Sequence, residues 1–196
     1  MGSTHLTWTG IDDPTRIDDC RVEESFRGLR AVGSSITEEY STAWTLEVGP
    51  DWATRRISVT AAGPGWSRHL TLTRSDSGTW SSRTLVEGEN DLPEPGIFPG
   101  QDLRGAVDCD LGKCPLTNLM PIRRLGLLEG NVPDTELVMA WIDVPSLQVI
   151  RSDQIYGSSP NPSSVRYTSR SRDVSVELAL DPEGYVLEYP GLAQRA

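Results

Sequence analysis

The chain has 196 residues, 37% of them hydrophobic, and a formal net charge of −10, which is the composition of one ordinary globular domain. The negative charge, with no basic stripe to offset it, excludes phosphate-rich partners such as nucleic acids and anionic membrane surfaces. No apolar run reaches the ~18 residues that a membrane-spanning helix needs. The opening residues, MGSTHLTWTG, lack the basic and apolar regions of a secretion signal.

The three cysteines are Cys20, Cys109 and Cys114. Their odd number and the missing signal predict reduced thiols in a cytoplasmic protein, buried as small apolar side chains. A disulfide or redox pair between Cys109 and Cys114 is the alternative. Zinc is disfavoured because there is no second cysteine pair and only two histidines, so we expect neither a metal nor a cofactor.

Alternation of apolar and polar side chains dominates the first half of the chain. Residues 39–48 and 52–61 alternate with a period of two and are separated by Gly-Pro-Asp, which predicts a hairpin. Residues 66–72 alternate in the same way up to the turn Asp-Ser-Gly. Residues 81–105 are rich in proline, glycine and acids. They predict a long loop, which is either a surface insertion, the interpretation we favour, or a lid.

The second half of the chain is also predicted to be built from strands. Residues 137–144 are apolar on both faces, which is typical of a strand covered on both sides by a sheet that rolls over itself. No amphipathic helix is convincing, because the best candidate, TNLMPIRRL, contains Pro121. The chain is therefore predicted to be all-β, either a roll, a barrel or a sandwich. Further strands are predicted at 147–156, 165–170 and 173–180.

The most chemically varied stretch is Asp108–Gly130, DCDLGKCPLTNLMPIRRLGLLEG. On a strand, Asp108 and Asp110 share one face about 7 Å apart, a spacing that suits the acid/base pair of an inverting glycosidase. Alternatively, one of these acids pairs with Arg123 or Arg124, because a buried arginine needs an anionic partner. We favour this pairing, within a strand–turn–strand corner.

Other residues give little support for catalysis. Thr117 and Asn118 follow a proline, and their side chains are predicted to satisfy backbone groups of a turn. There is no nucleophile elbow or phosphate-cradling glycine loop. His5 lies near the chain end and His69 on the polar face of its strand, so neither is placed for a triad. No residue is therefore assigned a catalytic role.

The six tryptophans indicate either core packing or the lining of a ligand cavity. Cavity lining is most plausible for Trp141, on the strand that is apolar on both faces, and for Trp44.

The stretch from Asp108 resembles the signature of the bacterial putative glycolipid-binding family, which reads Asp-x-Asp-Leu, a spacer, Pro-x-Thr-Asn and Leu-Pro-Ile-Arg-Arg-Leu. The segments 40–59, 153–157 (DQIYG) and 184–195 are also similar to elements of that family. The residues that match the signature are Asp108, Asp110, Leu111, Pro115, Thr117, Asn118, Pro121, Ile122, Arg123, Arg124 and Leu125.

The resemblance implies a single-domain spiral β-roll, a long curled antiparallel sheet similar in shape to lipoprotein carriers, that binds a glycolipid. It implies no catalytic residues. This chain departs from the family pattern at Leu119, an apolar side chain where the family usually has threonine after the asparagine, and at Cys109 within the acid pair. It also has Ala106 where a cysteine is usual, and a longer loop at 81–105.

Three functions stay open from the sequence. The favoured one is binding of a glycolipid or another amphipathic molecule, without catalysis. Arg123 or Arg124 would hold the head group, and the apolar part would contact Trp44, Met139 and Trp141. The alternatives are a hydrolase that uses Asp108 and Asp110, and a structural or interaction protein with a filled core.

Overall fold

A computed structural model describes residues 2–196, which form fifteen strands, three 3-10 turns and one short α-helix. The first eight strands are β1 (Ser3–Gly10), β2 (Ile17–Ser25), β3 (Gly28–Ile36), β4 (Ser41–Val48), β5 (Thr54–Gly63), β6 (Trp66–Arg74), β7 (Trp80–Gly88) and β8 (Gly96–Ile97). The others are β9 (Asp108–Leu111), β10 (Thr135–Ile142), β11 (Gln148–Ser158), β12 (Ser164–Ser169), β13 (Val174–Leu180), β14 (Val186–Tyr189) and β15 (Ala193–Arg195). The helix α1 spans Leu119–Arg124.

All strands belong to one sheet, in the order β7-β6-β5-β4-β3-β2-β1-β15-β14-β13-β12-β11-β10-β9. Neighbouring strands are antiparallel, except that β9 runs parallel to β10. The short β8 lies off this path and pairs in parallel with β11. Strand β1 pairs with both β2 and β15, so the first and last strands of the chain lie side by side in the middle of the sheet.

The sheet curls so that its β9–β11 end lies inside. One face of β10, with Ala140 and Ile142, joins a buried cluster with the inward side chains of β1 to β6, which we call the outer core. The opposite face, with Leu137, packs against a second cluster from β11 to β14, which we call the inner core. The predictions of an all-β, spirally curled sheet and of a strand covered on both sides are therefore confirmed.

The prediction of a loop from residue 81 is wrong for residues 81–88, which belong to β7. As the outer edge strand, β7 is exposed on both faces beyond its first residues, so its sequence carries no apolar alternation. The irregular segment begins after Gly88. It is tied to the sheet by Arg68, a buried residue that donates to the backbone oxygens of Leu92 and Ser146 at 2.9 and 3.1 Å.

The predicted strand–turn–strand corner is also wrong. After β9, a turn at Gly112–Lys113 leads into a 3-10 turn, Pro115–Asn118, and then into α1. Pro121 is compatible with this helix because it is the third residue, where the backbone N–H would have no partner within the helix. We call residues 115–124 the plug, since eight of them, Pro115 to Ile122, are buried between the layers of the roll.

Candidate functional site

The interior of the roll is filled with side chains. The space bounded by Trp8, Cys20 and Trp44 has a volume of about 10 Å³, room for one water molecule. Trp44 belongs to the outer core and is 6% exposed, and Met139 is fully buried. These two positions therefore pack against protein.

The first acid of the signature forms an ion pair with the plug. Because side chains alternate along β9, Cys109 and Leu111 join the outer core while the two acids point the other way. Arg124 Nη1 donates to both carboxylate oxygens of Asp108, at 2.6 and 2.5 Å. Burial raises the pKa of Asp108 to about 6, although the adjacent Arg124 guanidinium acts to lower it. This pair is one of the four acid–arginine combinations that the sequence analysis allowed.

The second acid, Asp110, lies at the centre of a hydrogen-bond network from three parts of the chain. It accepts from Thr117 Oγ1 at 3.1 Å, from Gln154 Nε2 at 2.7 Å and from Arg172 Nη2 at 3.0 Å. These donors come from the plug, from β11 and from the 3-10 turn Arg170–Arg172. Both carboxylates are thus occupied by the protein's own donors, and neither faces an open site.

Thr117 and Asn118 attach the plug to the inner strands. The Thr117 hydroxyl lies within reach of both Asp110 and the Cys114 carbonyl oxygen, and Asn118 Nδ2 donates to the Pro115 carbonyl oxygen at 3.1 Å. The Tyr156 hydroxyl donates to Asn118 Oδ1 at 2.8 Å. Their side chains therefore satisfy backbone groups of the turn, and they also reach across to strands β9 and β11.

Arg172 closes this network toward solvent, and a quarter of its side chain is exposed. Its Nε donates to Ser169 Oγ at 3.1 Å, and its Nη2 donates to the Tyr167 hydroxyl. The guanidinium carbon lies 5.2 Å from the ring centroid of Trp141, a cation–π distance. Burial raises the pKa of Tyr167, so its hydroxyl stays protonated. We call Asp110, Trp141, Gln154, Tyr167 and Arg172 the Asp110 cluster.

Two polar atoms of the Asp110 cluster lack a partner among the described residues. They are Gln154 Oε1, an acceptor on a side chain that is 1% exposed, and the buried Trp141 Nε1, a donor. Leaving such a group unsatisfied costs about 1–3 kcal/mol. A hydroxyl group could serve as the partner of both atoms, because it donates one hydrogen bond and accepts others.

An open groove adjoins the Asp110 cluster. It runs over β10 and β11 beside the Arg170–Arg172 turn and has a volume of about 700 Å³. Val138 and Ile155 give it their apolar side chains, whereas the side chains of Leu137 and Gln154, which also border it, point to the opposite face of the sheet. An amphipathic molecule could place its apolar part along Val138 and Ile155 and its polar end at the Arg170–Arg172 turn, which adjoins the cluster.

Arg123 lies at a separate place from Arg124. Its guanidinium carbon is 5.2 Å from the ring centroid of Trp52, and its Nη2 is 3.6 Å from Glu24 Oε1. The Tyr185 hydroxyl donates to the same Glu24 oxygen at 2.6 Å. The structure therefore does not gather the five predicted ligand-binding residues. Of that set, only Trp141 belongs to the Asp110 cluster.

Three residues of the Asp110 cluster, Gln154, Tyr167 and Arg172, were not named in the sequence analysis. Gln154 stands in DQIYG, a segment already similar to the family, so the signal was present but not used. Arg172 gives no sequence signal, because it lies 62 residues from Asp110 and reaches it only through the fold.

Neither histidine takes part in the Asp110 cluster. His5 contacts Asp19, and His69 contacts the hydroxyls of Thr60 and Thr71. Across residues 2–196 no three His, Cys, Asp or Glu side chains are grouped so that they could hold a metal ion. No helix in this part of the chain is long and apolar enough to cross a membrane.

The sequence model of the family described as "Putative glycolipid-binding" matches residues 5–195. The chain belongs to this family. A solved structure that resembles this chain is that of a DUF1089 family protein from Pseudomonas aeruginosa, at 26% identity and a TM-score of 0.65. The likeness covers 100% of this chain and 93% of the other. No curated protein matches the chain.

In this chain, signature residues hold the plug against the inner strands. Asp108 pairs with Arg124, Asp110 contacts Thr117, and Asn118 contacts Tyr156. Gln154 donates to Asp110 within this scaffold, and the half-buried Trp141 lies beside Arg172.

Proposed function

We propose that the protein binds the hydroxyl-bearing head group of a glycolipid, or of a similar amphipathic molecule, at the Asp110 cluster and does so without catalysis. One observation carries this proposal: Gln154 Oε1 and Trp141 Nε1 are buried without partners, on side chains that are both linked to Arg172, Gln154 through the shared Asp110 carboxylate and Trp141 by the cation–π contact. A ligand hydroxyl would supply the missing donor and acceptor, and the ring of Trp141 offers an apolar face to a sugar.

Arg172 is the group that would move to admit the ligand. It lies on a short turn between β12 and β13 and is partly exposed, whereas Asp110 and Gln154 are fixed on strands. If the guanidinium swings outward, Asp110 Oδ2 keeps the hydrogen bond from Gln154 Nε2 at 2.7 Å. The swing therefore does not leave the carboxylate without a partner.

The apolar part of the ligand would lie in the groove. The filled outer and inner cores favour this placement over an acyl chain inside the roll. Val138 and Ile155 provide the apolar contact. A cytoplasmic location belongs to the same proposal and is supported by the three unpaired thiols.

Hydrolysis by the two acids has weaker support. A general acid or base must reach the proton that it transfers, directly or through one water. Asp108 is fully buried against Arg124, and Asp110 is held by three donors. We therefore propose a binding role for this region.

The test uses octyl glucoside below its micelle concentration as the probe, with binding followed by calorimetry and tryptophan fluorescence. We expect wild-type protein to bind it, and the nearly isosteric Gln154→Met to weaken binding about tenfold, which corresponds to about 1.4 kcal/mol. The matched control is Gln148→Met, a half-buried residue of the same strand outside the cluster, which should bind like wild type.

A zwitterionic detergent with the same alkyl chain separates head-group from chain recognition. Equal binding of both detergents, or no binding of octyl glucoside, would contradict the proposal. Native mass spectrometry of gently purified protein adds an independent check, since a co-purifying lipid should be lost in Gln154→Met.

A further inference from the structure

The two edges of the curled sheet differ in how they are covered. The inner edge, β9, is shielded by β5, because Cys109 N donates to Thr54 Oγ1 at 3.1 Å and Thr54 N donates to the Val107 carbonyl oxygen at 3.2 Å. The outer edge, β7, has no backbone hydrogen bonds beyond those with β6 in the part of the chain that the structure describes. Residues 83–88 are all exposed. An edge of this kind can accept another strand.

The turn between β6 and β7 shows which backbone groups of β7 are free. Ser75 N donates to the Thr79 carbonyl oxygen at 2.9 Å, so this pair is hydrogen-bonded. Bonded and non-bonded pairs alternate along an antiparallel ladder. Arg83, Leu85 and Glu87 therefore bond to β6, whereas Thr84 and Val86 direct their N–H and C=O groups away from the sheet. If a second β7 strand pairs antiparallel with this edge, these free groups form hydrogen bonds only when even-numbered residues of one strand lie opposite even-numbered residues of the other.

One of these registers makes β7 complementary to itself. With a two-fold axis at Leu85, Thr84 faces Val86 of a second copy, Leu85 faces Leu85, and Arg83 faces Glu87. An axis at Arg83 would oppose two arginines, and an axis at Glu87 two glutamates. An axis at Thr84 or at Val86 would leave Arg83 without Glu87 opposite.

The side chains in this register are available. Leu85 is 59% exposed. Arg83 makes no ion pair with any described residue, and the contact of the Glu87 carboxylate is the Ser67 hydroxyl, at 3.2 Å. Arg83 and Glu87 carry opposite charges, and the two-fold axis places each opposite the other residue of the second copy. Two ion pairs result, which favours a second copy of this chain over an unrelated partner.

We propose that two copies of this chain pair antiparallel through β7, about a two-fold axis at Leu85, so that the sheet continues from one copy into the other. This interface does not depend on the ligand site, which lies on β10 and β11. Its four charged side chains determine the register, while the backbone hydrogen bonds of Thr84 and Val86 join the strands.

The test measures the mass of the full chain by sedimentation velocity across a concentration series. Wild-type protein should show a monomer–dimer equilibrium. Arg83→Glu alone and Glu87→Arg alone should each weaken dimerisation at least about tenfold, because each variant opposes like charges. A one-to-one mixture of the two variants should dimerise again, since each acidic edge then meets a basic edge.

The control is Arg56→Glu, an exposed residue of β5 that changes the net charge by the same amount. It should dimerise like wild type, and circular dichroism should show every variant folded. A wild-type chain that stays monomeric at all concentrations would overturn the proposal. So would a mixture of the two variants that stays monomeric, or a control that loses the dimer.

Discussion

At the residue scale, the acids and arginines of the signature are placed by the interior of the roll. Short sequence distances made an acid–arginine pair predictable, and the structure shows one between Asp108 and Arg124. The partners of Asp110 were not predictable, because Gln154 lies 44 residues away and a strand pattern does not identify which strands become neighbours. A buried polar group is thus visible in the sequence, but its partner is decided by the fold.

Asp108 should give the protein an unusual dependence of stability on pH. Its pKa in the folded state, about 6, lies above the value of about 3.9 in an unfolded chain. The folded state therefore holds this proton more tightly. The stability that Asp108 contributes is fully present below about pH 4 and is lost as the pH rises through about 6.

Asp108→Asn removes this titration. As the pH rises from about 4 to 7, the free energy of unfolding of wild type should fall by about 3 kcal/mol relative to that of the variant. This value follows from the pKa difference at 1.36 kcal/mol per unit. Urea unfolding at several pH values measures the difference. A difference that is independent of pH would show that Asp108 titrates normally in the folded state.

At the scale of elements, burial on one face decides which of them a sequence predicts. Residues of β4 to β6 alternate because one face packs into the outer core, and these strands were predicted correctly. Edge strand β7 has no buried face along most of its length, and the plug is buried nearly all round. Neither shows the amphipathic period on which prediction depends, so both were missed.

The segment after β7 should depend on Arg68 for its order. This guanidinium donates to the backbone oxygens of Leu92, Pro93 and Ser146 and to the Asn90 side chain. Hydrogen bonds from charged donors contribute about 1.5–3 kcal/mol each, although the freed oxygens can return to water. We expect Arg68→Met to lower the free energy of unfolding by about 2 kcal/mol.

Hydrogen–deuterium exchange locates the effect. Exchange should accelerate in residues 89–95 of Arg68→Met and stay unchanged in β1 to β4. The exposed Arg56 on β5 gives the control Arg56→Met, which should lie within about 0.5 kcal/mol of wild type. Unchanged exchange in residues 89–95 would show that other contacts fix the segment.

At the scale of the whole molecule, the spiral could be predicted from the family resemblance but not from the strand pattern. Alternation identifies a buried face and leaves open which strand lies beside which. The inward position of β9 to β11 and the pairing of β1 with β15 are contacts between distant parts of the chain. Filling of both cores also depends on the plug, which contributes Met120 to the outer core and Ile122 to the inner core.

The three thiols report on opening of the whole roll. Burial raises the pKa of Cys20 and Cys109 to about 12, and it raises that of Cys114 as well. Cys20 and Cys109 are fully buried and should therefore react with a disulfide reagent at about pH 8 only as fast as the protein unfolds, whereas the half-buried Cys114 can react in the native state; three thiols should react at once in denaturant. An added surface thiol, Ser77→Cys, serves as the control and should react immediately. Fast reaction of Cys20 or Cys109 in the native protein would show that the roll opens locally.

The pairing of β1 with β15 also bears on how the protein is made. Strands β1 to β7 can form as successive hairpins during translation, but the second neighbour of β1 is β15, which is synthesised after the other fourteen strands described here. At about 5–20 residues per second, the edge of β1 stays open for about 10–40 s. A nascent chain stalled before Ala193 would present this edge to other chains, so the middle of the finished sheet is its most exposed part during translation.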